Sequence, residues 1–372
     1  MQYFATVARS LEELAAQELE QLGAADVEST FTGVKFTGDR TLLYRANLWA
    51  RIPFRILMQI HTCRCDSAER LYQGIQEINW AEYLSPEQTF AVRATGKNDQ
   101  LNHSHFTALQ VKNAIVDQQR QEFEERSSID VETPDLNINV HIHDNHCTVS
   151  LDSSGGSLHR RGYRPAVGIA PLKETLAAAL VNLTDWSPDI PFFDPLCGSG
   201  TLPIEASLKA LQIAPGLFRD EFAFEKWQDF DAALWQDLRT HAHAQRQSRS
   251  MVVMGSDRSS DMLEQAQFNA EQCGVDDYVW FSEQEFADIE PPSDRGVILC
   301  NPPYGERIGN AQELTDLYRL MGDVFKQRFK GWTAYVLCGN LDLAKCIGLR
   351  PARRHVIFNG SIECRLLKYE LY

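Results

Sequence analysis

The sequence predicts an α/β fold in which a doubly wound, mostly parallel sheet follows an α+β region. A glycine-rich stretch, Asp194 to Thr201, lies between a short apolar strand at 190–193 and a helical pattern from Leu202 to Ala214. A second apolar strand, 297–300, runs into the loop Asn301 to Tyr304 further along the chain. The first half of the chain alternates strand and helix patterns of its own, which favours a separate α+β region.

Length and composition limit the class of protein. A chain of 372 residues favours two domains or slightly more. There is no charged-then-apolar start and no apolar run of about 18 residues, so we expect neither a signal peptide nor a membrane span. The nine cysteines have no C-x-x-C spacing, which predicts reduced thiols in a cytoplasmic protein. The net charge of −15 argues against a general nucleic-acid coat protein, because binding to phosphates needs basic surface.

The negative net charge does not exclude an RNA enzyme that has local basic patches. The first patch comprises His159, Arg160, Arg161, Arg164 and Lys173. The second comprises Arg350, Arg353, Arg354, Arg365 and Lys368. Each patch is predicted to contact RNA, and the alternative for each is solvated loop charge.

The N-terminal region divides into two units. Residues 1–65 follow the order strand, helix, two strands, helix, strand, which is the rhythm of a ferredoxin-like unit. Residues 66–155 follow the order helix, strand, helix, two strands, with the first helix from Ala68 to Leu84. Ser153 to Ser157 is rich in serine and glycine, and we expect a flexible break there. A third domain then occupies residues 156–372.

The third domain carries an insertion at about 214–250. It contains several aromatic residues and is expected to form additional helix that packs on that domain. The last two strands are expected to pair as an antiparallel hairpin around Asn359-Gly360, giving seven strands with an antiparallel edge. In doubly wound sheets, ligands bind at the carboxyl ends of the strands. The polar residues predicted at those ends are Asp194, Asp257, Asp288 and Asn301.

Elementary chemistry suggests roles at the strand ends. Gly198 and Gly200 allow a tight turn and the close approach of a ligand. Thr201 is expected to cap the following helix, whose N-terminus favours an anionic group. Asp257 can accept hydrogen bonds from both hydroxyls of a ribose, and the alternative is that it caps the next helix. Several histidines could be metal ligands, but without supporting Cys or carboxylate spacing we expect no metal site.

The two stretches together resemble the S-adenosylmethionine-dependent amino-methyltransferases. The resemblance implies a Rossmann-like, seven-stranded class I methyltransferase sheet with S-adenosyl-L-methionine as cofactor. It implies that the D-P-x-C-G-S-G-T turn holds the methionine end of the cofactor. The residues of that turn are Asp194, Pro195, Cys197, Gly198, Ser199, Gly200 and Thr201. It also implies that Asp288 reaches the adenine amine, that Phe286 or Ala287 lies against the adenine ring, and that Lys173 and Glu174 lie beside the cofactor.

In the same family the N-P-P-Y loop, here Asn301, Pro302, Pro303 and Tyr304, presents the exocyclic amine of a flipped base to the methyl group. Such an amine is a poor nucleophile because its lone pair is delocalised into the ring. The side-chain oxygen of Asn301 and the carbonyl of Pro302 can each accept one amine hydrogen, and the prolines preorganise these acceptors. Tyr304 can stack on the base. The alternative is a plain strand-to-loop turn.

The order and lengths of the N-terminal elements resemble the ferredoxin-like and THUMP region of THUMP-containing RNA methyltransferases, which implies that residues 1–155 grip RNA. The alternative is a packing or dimerisation domain. The stretch Ala214 to Trp227 resembles the RlmL-like branch that acts on large-subunit ribosomal RNA.

These resemblances imply an RNA guanine-N2 methyltransferase that makes N2-methylguanosine, with 23S ribosomal RNA as the favoured target. Transfer RNA is the first alternative substrate. More distant alternatives are adenine-N6 methylation of DNA and a non-catalytic RNA-binding assembly factor. No membrane partner is expected, and the oligomeric state stays open.

Overall fold

The computed structural model describes residues 1–164, 172–305 and 311–372. Its first part is an α+β region with strands β1 to β8 and helices α1 to α4. In chain order the elements are β1 (Gln2–Thr6), α1 (Glu12–Gln21), β2 (Ala25–Thr30), β3 (Gly33–Thr37), α2 (Arg40–Trp49), β4 (Arg55–Arg64), α3 (Ala68–Gln76), β5 (Thr89–Lys97), α4 (Ser104–Phe123), β6 (Ser128–Ile129), β7 (Leu136–His143) and β8 (His146–Asp152).

The two predicted N-terminal units share one sheet. Its strand order is β2-β3-β1-β4-β8-β7-β5-β6. Strand β4 pairs antiparallel with β1 on one side and with β8 on the other. The helix expected from Ala68 to Leu84 ends at Gln76, because the chain turns to bury Trp80, whose indole N–H donates to the carbonyl of Ile75 at 2.9 Å. The α+β region is therefore continuous through its main-chain hydrogen bonds.

The second part is the predicted doubly wound domain. Its elements are α5 (Glu174–Leu183), β9 (Phe192–Asp194), α6 (Thr201–Ala210), α7 (Ala232–Ala244), β10 (Val253–Asp257), α8 (Ser260–Cys273), β11 (Val279–Glu283), β12 (Val297–Cys300), α9 (Ala311–Arg328), β13 (Thr333–Cys338), α10 (Leu341–Cys346), β14 (Arg353–Asn359) and β15 (Ile362–Glu370). None of the helices in the described ranges combines the length and apolar character needed to cross a bilayer.

The sheet of this domain has the order β11-β10-β9-β12-β13-β15-β14, which confirms the predicted fold class. The expected hairpin around Asn359-Gly360 forms between β14 and β15. Strand β15, however, lies between β13 and β14 and is antiparallel to both. The edge strand β14 therefore runs parallel to β13 and to the strands beyond it. The antiparallel strand lies one position in from the edge, where the sequence predicted it at the edge itself.

The expected flexible break at Ser153 to Ser157 is wrong. Both Ser153 and Ser154 are fully buried. The Ser153 hydroxyl donates to the carbonyl of Ile56 at 2.7 Å, and the Ser154 hydroxyl donates to the side chain of Asn47 at 2.6 Å. Hydrogen bonds to the N-terminal region thus hold a stretch whose composition alone predicts flexibility.

Arg219, from the predicted insertion, holds the same stretch from the other side. Its guanidinium donates to the carbonyls of Ser154, Gly156 and Ser157 at 3.1, 3.1 and 3.2 Å, and to that of Arg160 at 2.8 Å. Its pKa is lowered to about 10 by burial, with smaller contributions from neighbouring charges. The segment between the domains is therefore hydrogen-bonded on both sides.

The insertion packs on the ferredoxin-like unit, not only on its own domain as expected. Tyr44 of α2 stacks on Phe224 with ring centroids 4.4 Å apart and lies edge-on to Trp235. The Tyr44 hydroxyl accepts a hydrogen bond from the backbone of Asp231 at 3.0 Å. Buried aromatic contacts of this kind stabilise an interface beyond their area alone. The ferredoxin-like unit is consequently docked on the second domain at a defined position.

Candidate active site

The two sequence motifs lie at one rim of the second sheet. Strand β9 lies between β10 and β12 and runs parallel to both. The carboxyl ends of the three strands are Asp194, Asp257 and the residue before Asn301. Since parallel neighbours end at the same edge, the glycine turn after β9 and the loop after β12 flank a common space.

Hydrogen bonds hold the glycine turn against the neighbouring strand. The N–H of Cys197 donates to the carbonyl of Ser256 at 2.9 Å, and the N–H of Gly198 donates to Oδ2 of Asp257 at 3.0 Å. The carbonyl of Ser199 accepts from the side chain of Asn269 at 3.0 Å. The turn is therefore fixed before any ligand arrives.

The two positive-φ glycines of the turn differ in their surroundings. A Cβ on Gly200, at φ +80°, would lie 2.9 Å from the ring of Phe281 and 3.0 Å from Ala266. A Cβ on Gly198, at φ +50°, would meet no described atom within 4 Å. Gly200 is therefore needed for packing, whereas Gly198 borders open space at the rim.

Thr201 does not cap the helix, contrary to expectation. Helix α6 begins at Thr201, with Gly200 in the cap position and no side-chain cap. The Thr201 hydroxyl instead accepts a hydrogen bond from Arg164 at 3.1 Å. Because a residue inside the first turn points back along the helix, its hydroxyl reaches the preceding segment.

Asp257 is not a helix cap, which leaves the ligand-binding interpretation. The cap of α8 is Ser259, whose hydroxyl accepts from the N–H of Met262 at 3.4 Å. The carboxylate of Asp257 accepts from Ser259 through Oδ1 and from Gly198 through Oδ2, both at 3.0 Å. These bonds orient the carboxylate and still leave lone pairs on both oxygens.

Asp194 is a buried acid at the tip of the central strand. Its Oδ1 accepts a hydrogen bond from the N–H of Leu196 at 3.1 Å. Burial raises the pKa of Asp194 well above its ordinary range, and the charge of Asp257 raises it further. A nearby cation would stabilise the ionised form of such a carboxylate.

Asn301 presents an acceptor at the same rim. Its side-chain Oδ1 is buried and has no hydrogen-bond partner among the described residues. Buried polar atoms of folded proteins are nearly always hydrogen-bonded, so an orphan acceptor indicates either strain or a ligand site. Pro302 is buried and Pro303 is half-buried, which restricts the backbone at this point.

Tyr304 anchors the end of this loop. Its hydroxyl accepts a hydrogen bond from Nδ2 of Asn359 at 2.9 Å, and burial raises its pKa to about 12. The ring lies so close to Gly339 that a Cβ there would be 2.6 Å from two ring carbons. Tyr304 therefore ties the loop after β12 to the β14–β15 hairpin.

The other residues predicted beside the cofactor lie in different surroundings. Glu174 is buried, pairs with Arg164 at 2.6 Å, and has its Oε2 without a hydrogen-bond partner among the described residues. Lys173 is exposed, with its ammonium 5.4 Å from the ring centroid of Phe54. Asp288 is exposed, and Phe286 is buried against the helix that follows the Asn301 loop.

The basic residues before α5 divide into internal and exposed groups. Arg161 is 2% exposed, donates to the carbonyls of Arg51 and Leu158, and pairs with Glu205 at 3.4 Å. The prediction that Arg161 contacts RNA is wrong, because all of these partners are internal. Arg164 pairs with buried Glu174 at 2.6 Å and keeps 14% of its side chain exposed, so its contact with RNA stays a prediction.

Arg160, Arg353 and Arg354 are exposed and stay candidates for RNA contact. Arg160 lines a cleft of about 1140 Å³ between strands β5 and β7 and the segment that precedes α5. Arg93 and Arg219 line the same cleft. Sequence reasoning missed this cleft and the Tyr304–Asn359 bond, since both join residues far apart in the chain.

Comparison with known proteins places each part of the chain in a family. A family model described as an RMKL-like methyltransferase domain matches residues 161–368. A THUMP domain model matches residues 65–152, and an RlmL ferredoxin-like domain model matches residues 2–57. The three matches confirm the resemblance drawn from the motifs and from the order of elements.

Whole-chain relatives agree with the family models. A putative RNA methyltransferase of Synechocystis sp. is 56% identical over 371 residues, covering 100% of this chain and 97% of the relative. The ribosomal RNA large subunit methyltransferase K/L of Syntrophotalea carbinolica is 40% identical, covering 100% of this chain and 54% of the relative. The chain thus spans about half the length of the K/L proteins it matches.

Solved structures also match the whole chain, including the following two. A putative methyltransferase complexed with SAH, SMU.472, has a TM-score of 0.90 and 31% identity, with 100% of this chain and 98% of that chain covered. A protein from Listeria monocytogenes described as a predicted N6-adenine-specific DNA methylase has a TM-score of 0.91 and 32% identity, with coverage of 100% and 96%. Both motifs lie at one rim of the sheet, and the family models and relatives together match the whole length of the chain. The chain therefore belongs to the RMKL-like methyltransferase family, with an RlmL ferredoxin-like domain and a THUMP domain ahead of the methyltransferase domain.

Proposed function

We propose that this protein transfers a methyl group from S-adenosylmethionine to the exocyclic N2 amine of a guanine in large-subunit ribosomal RNA. One observation carries the proposal. The buried Oδ1 of Asn301 is an acceptor without a partner among the described residues, at the rim where the two motifs meet. An exocyclic amine supplies the donor that this oxygen lacks.

The glycine-turn side of the rim fits the cofactor. The open space at Gly198 lies beside the oriented carboxylate of Asp257 and the buried carboxyl of Asp194. Asp194 favours the cationic ammonium of the methionine part, because a cation offsets the cost of ionising a buried acid. Asp257 is suited to accept from ribose hydroxyls. The relative SMU.472, which is complexed with SAH, supports this assignment.

The chain's own residues prepare the amine for attack. When bound, S-adenosylmethionine supplies an electrophilic methyl group on its sulfonium. Oδ1 of Asn301 and the carbonyl of Pro302 accept the amine hydrogens, which returns electron density to the nitrogen. Tyr304, held by Asn359 and by the backbone at Gly339, anchors the end of this loop on the neighbouring strands.

The THUMP match and the K/L relatives support RNA, and ribosomal RNA in particular, as the substrate. Because the K/L proteins are about twice as long, the assignment of guanine-N2 methylation to this half is part of the proposal. The Listeria relative is described as acting on adenine in DNA, which makes adenine the base to discriminate against. Because that relative also matches the THUMP region of this chain, the shared overall fold does not favour DNA over RNA as the substrate.

Methyl transfer onto natural RNA tests the proposal. Total RNA from a strain lacking this gene is incubated with the protein and methyl-labelled cofactor, and ribosomal and transfer RNA are separated before nucleoside analysis. We expect label in N2-methylguanosine of the large-subunit ribosomal RNA. Label in N6-methyladenosine would reject the assignment, and label only in transfer RNA would select the alternative substrate. Cofactor binding without transfer to any RNA would support a non-catalytic assembly factor.

A further inference from the structure

An aromatic side chain lies on the surface of the ferredoxin-like unit without entering the core. Phe31, in the turn between β2 and β3, is 76% exposed. Arg9, in the loop after β1, has its guanidinium carbon 5.7 Å from the Phe31 ring centroid. The same carbon lies 4.6 Å from the ring centroid of Phe358, in the methyltransferase domain. We call Phe31, Arg9 and Phe358 the Arg9 stack.

The Arg9 stack adjoins the catalytic loop. Phe358 is followed in β14 by Asn359, which donates the hydrogen bond to the Tyr304 hydroxyl. Strand β14 ends at the same rim as β12, because β14 runs parallel to β13 and β13 runs parallel to β12. The stack therefore lies at the same rim of the sheet as the Asn301 loop.

No carboxylate pairs with Arg9 within residues 1–164, 172–305 and 311–372. The guanidinium carbon instead lies over two rings, an arrangement that leaves the hydrogen-bond donors of Arg9 for a ligand. An exposed ring and an unpaired planar cation together match a ligand that is both flat and anionic.

We infer that Phe31 and Arg9 form a stacking platform for unpaired RNA nucleotides that neighbour the methylated base. The inference rests on the proposed function and names where that RNA lies. Bases stack on aromatic rings, so a base takes the exposed face of Phe31 while the hydrogen-bond donors of Arg9 reach the phosphates. Extracting a base from its helix leaves its neighbours unstacked, and the platform replaces the lost stacking.

A short RNA tests the platform apart from methylation. The probe is a nine-nucleotide single-stranded RNA with 2-aminopurine at its centre, whose fluorescence falls on stacking. For Phe31→Ala we expect about tenfold weaker binding and loss of quenching. The matched control, Phe268→Ala, removes an exposed ring from α8 and should bind like the wild type. Thermal unfolding of both variants excludes misfolding, since each ring is exposed.

Replacements at position 31 separate stacking from simple apolar contact. Phe31→Trp should bind the RNA like the wild type, whereas Phe31→Leu should bind as weakly as Phe31→Ala. Wild-type affinity in either Phe31→Leu or Phe31→Ala would contradict the stacking platform. Equal affinity for the nonamer and for its fully paired duplex would also overturn it, because a paired base offers no free face.

Kinetics with RNA from the deletion strain separates this inference from the proposed function. Phe31→Ala should raise KM for RNA about tenfold and leave kcat and cofactor affinity unchanged. A wild-type protein that makes no N2-methylguanosine would contradict the proposed function, while the nonamer experiment would still decide the platform. An active wild type with an unaffected Phe31→Ala variant would refute the platform alone.

Discussion

The backbone N–H of Gly198 donates a 3.0 Å hydrogen bond to Oδ2 of Asp257, which joins the turn after the central strand to the tip of its neighbour. One peptide group thus orients the carboxylate assigned to the ribose and places the Gly198 Cα at the border of the open space. A side chain added at this position would point into the space assigned to the cofactor. Packing and binding can therefore be tested separately within one turn.

Alanine at Gly198 should reduce cofactor affinity more than stability. Its Cβ meets no described atom within 4 Å, so the stability cost is the backbone strain of a positive φ, roughly 1–2 kcal/mol. Calorimetric titration with S-adenosylmethionine should show at least tenfold weaker binding. The matched variant Gly200→Ala adds contacts with Phe281 and Ala266, and should lose roughly 2–4 kcal/mol of unfolding free energy. Equal affinities for wild type and Gly198→Ala would place the cofactor elsewhere.

Replacing Asn301 with alanine should stop catalysis without weakening cofactor binding. The loss of one preorganised acceptor corresponds to roughly a 10²–10³-fold fall in kcat. Single-turnover methyl transfer and cofactor titration measure the two quantities. Asn182→Ala is the control, because Asn182 bonds only the carbonyl of Ala178 within α5 among the described contacts. An active Asn301→Ala variant would disprove the acceptor role.

The buried acid Asp194 makes stability depend on pH in a defined direction. Burial raises its pKa in the folded protein well above the ordinary value of about 3.9. Between these two pKa values the unfolded chain has lost the proton and the folded chain keeps it, so unfolding free energy from this group falls as pH rises. Asp194→Asn removes that titration.

We therefore expect Asp194→Asn, without cofactor, to be more stable than the wild type at pH 7, with a smaller difference at pH 4. Urea denaturation at the two pH values measures both differences. A difference that is the same at pH 4 and pH 7 would mean that Asp194 ionises normally in the folded state. The same variant should bind S-adenosylmethionine more weakly, because it lacks the negative charge that we propose for binding the cofactor's ammonium.

Arg219 should control the exposure of the segment between the domains. Arg219→Ala removes the donor from four carbonyls, including those of Ser154 and Gly156, and we expect a loss of roughly 2–4 kcal/mol. Limited proteolysis at residues 153–157 should become faster. Arg239→Ala, which removes a half-buried guanidinium over Trp235, serves as control. Unchanged proteolysis would show that the buried serines alone hold the segment.

The sequence predicted the parts of the molecule that depend on local pattern. Apolar strands followed by Asp194 and Asn301 place both motifs at strand ends, and parallel strand order then brings those ends together. The caps were less predictable. Thr201 and Asp257 each have a side chain that suits a helix cap. The caps are instead Gly200, one residue before Thr201, and Ser259, two residues after Asp257.

Contacts between distant segments could not be predicted. Arg161 is of a residue type that usually lies at the surface, and it is buried because Glu205, in helix α6 of the same domain, pairs with it. Ser153 to Ser157 resembles a linker, and it is held by partners such as Asn47 and Arg219 that lie far away in the chain. Tertiary hydrogen bonds override composition at both places.

Strand β4 has consequences for how this protein can change over evolutionary time. It carries main-chain hydrogen bonds to β1 on one edge and to β8 on the other. Exchange of the THUMP domain alone by recombination would leave one edge of β4 bare unless the incoming strand matched its register. The ferredoxin-like and THUMP units are therefore expected to be inherited together, as a single cassette.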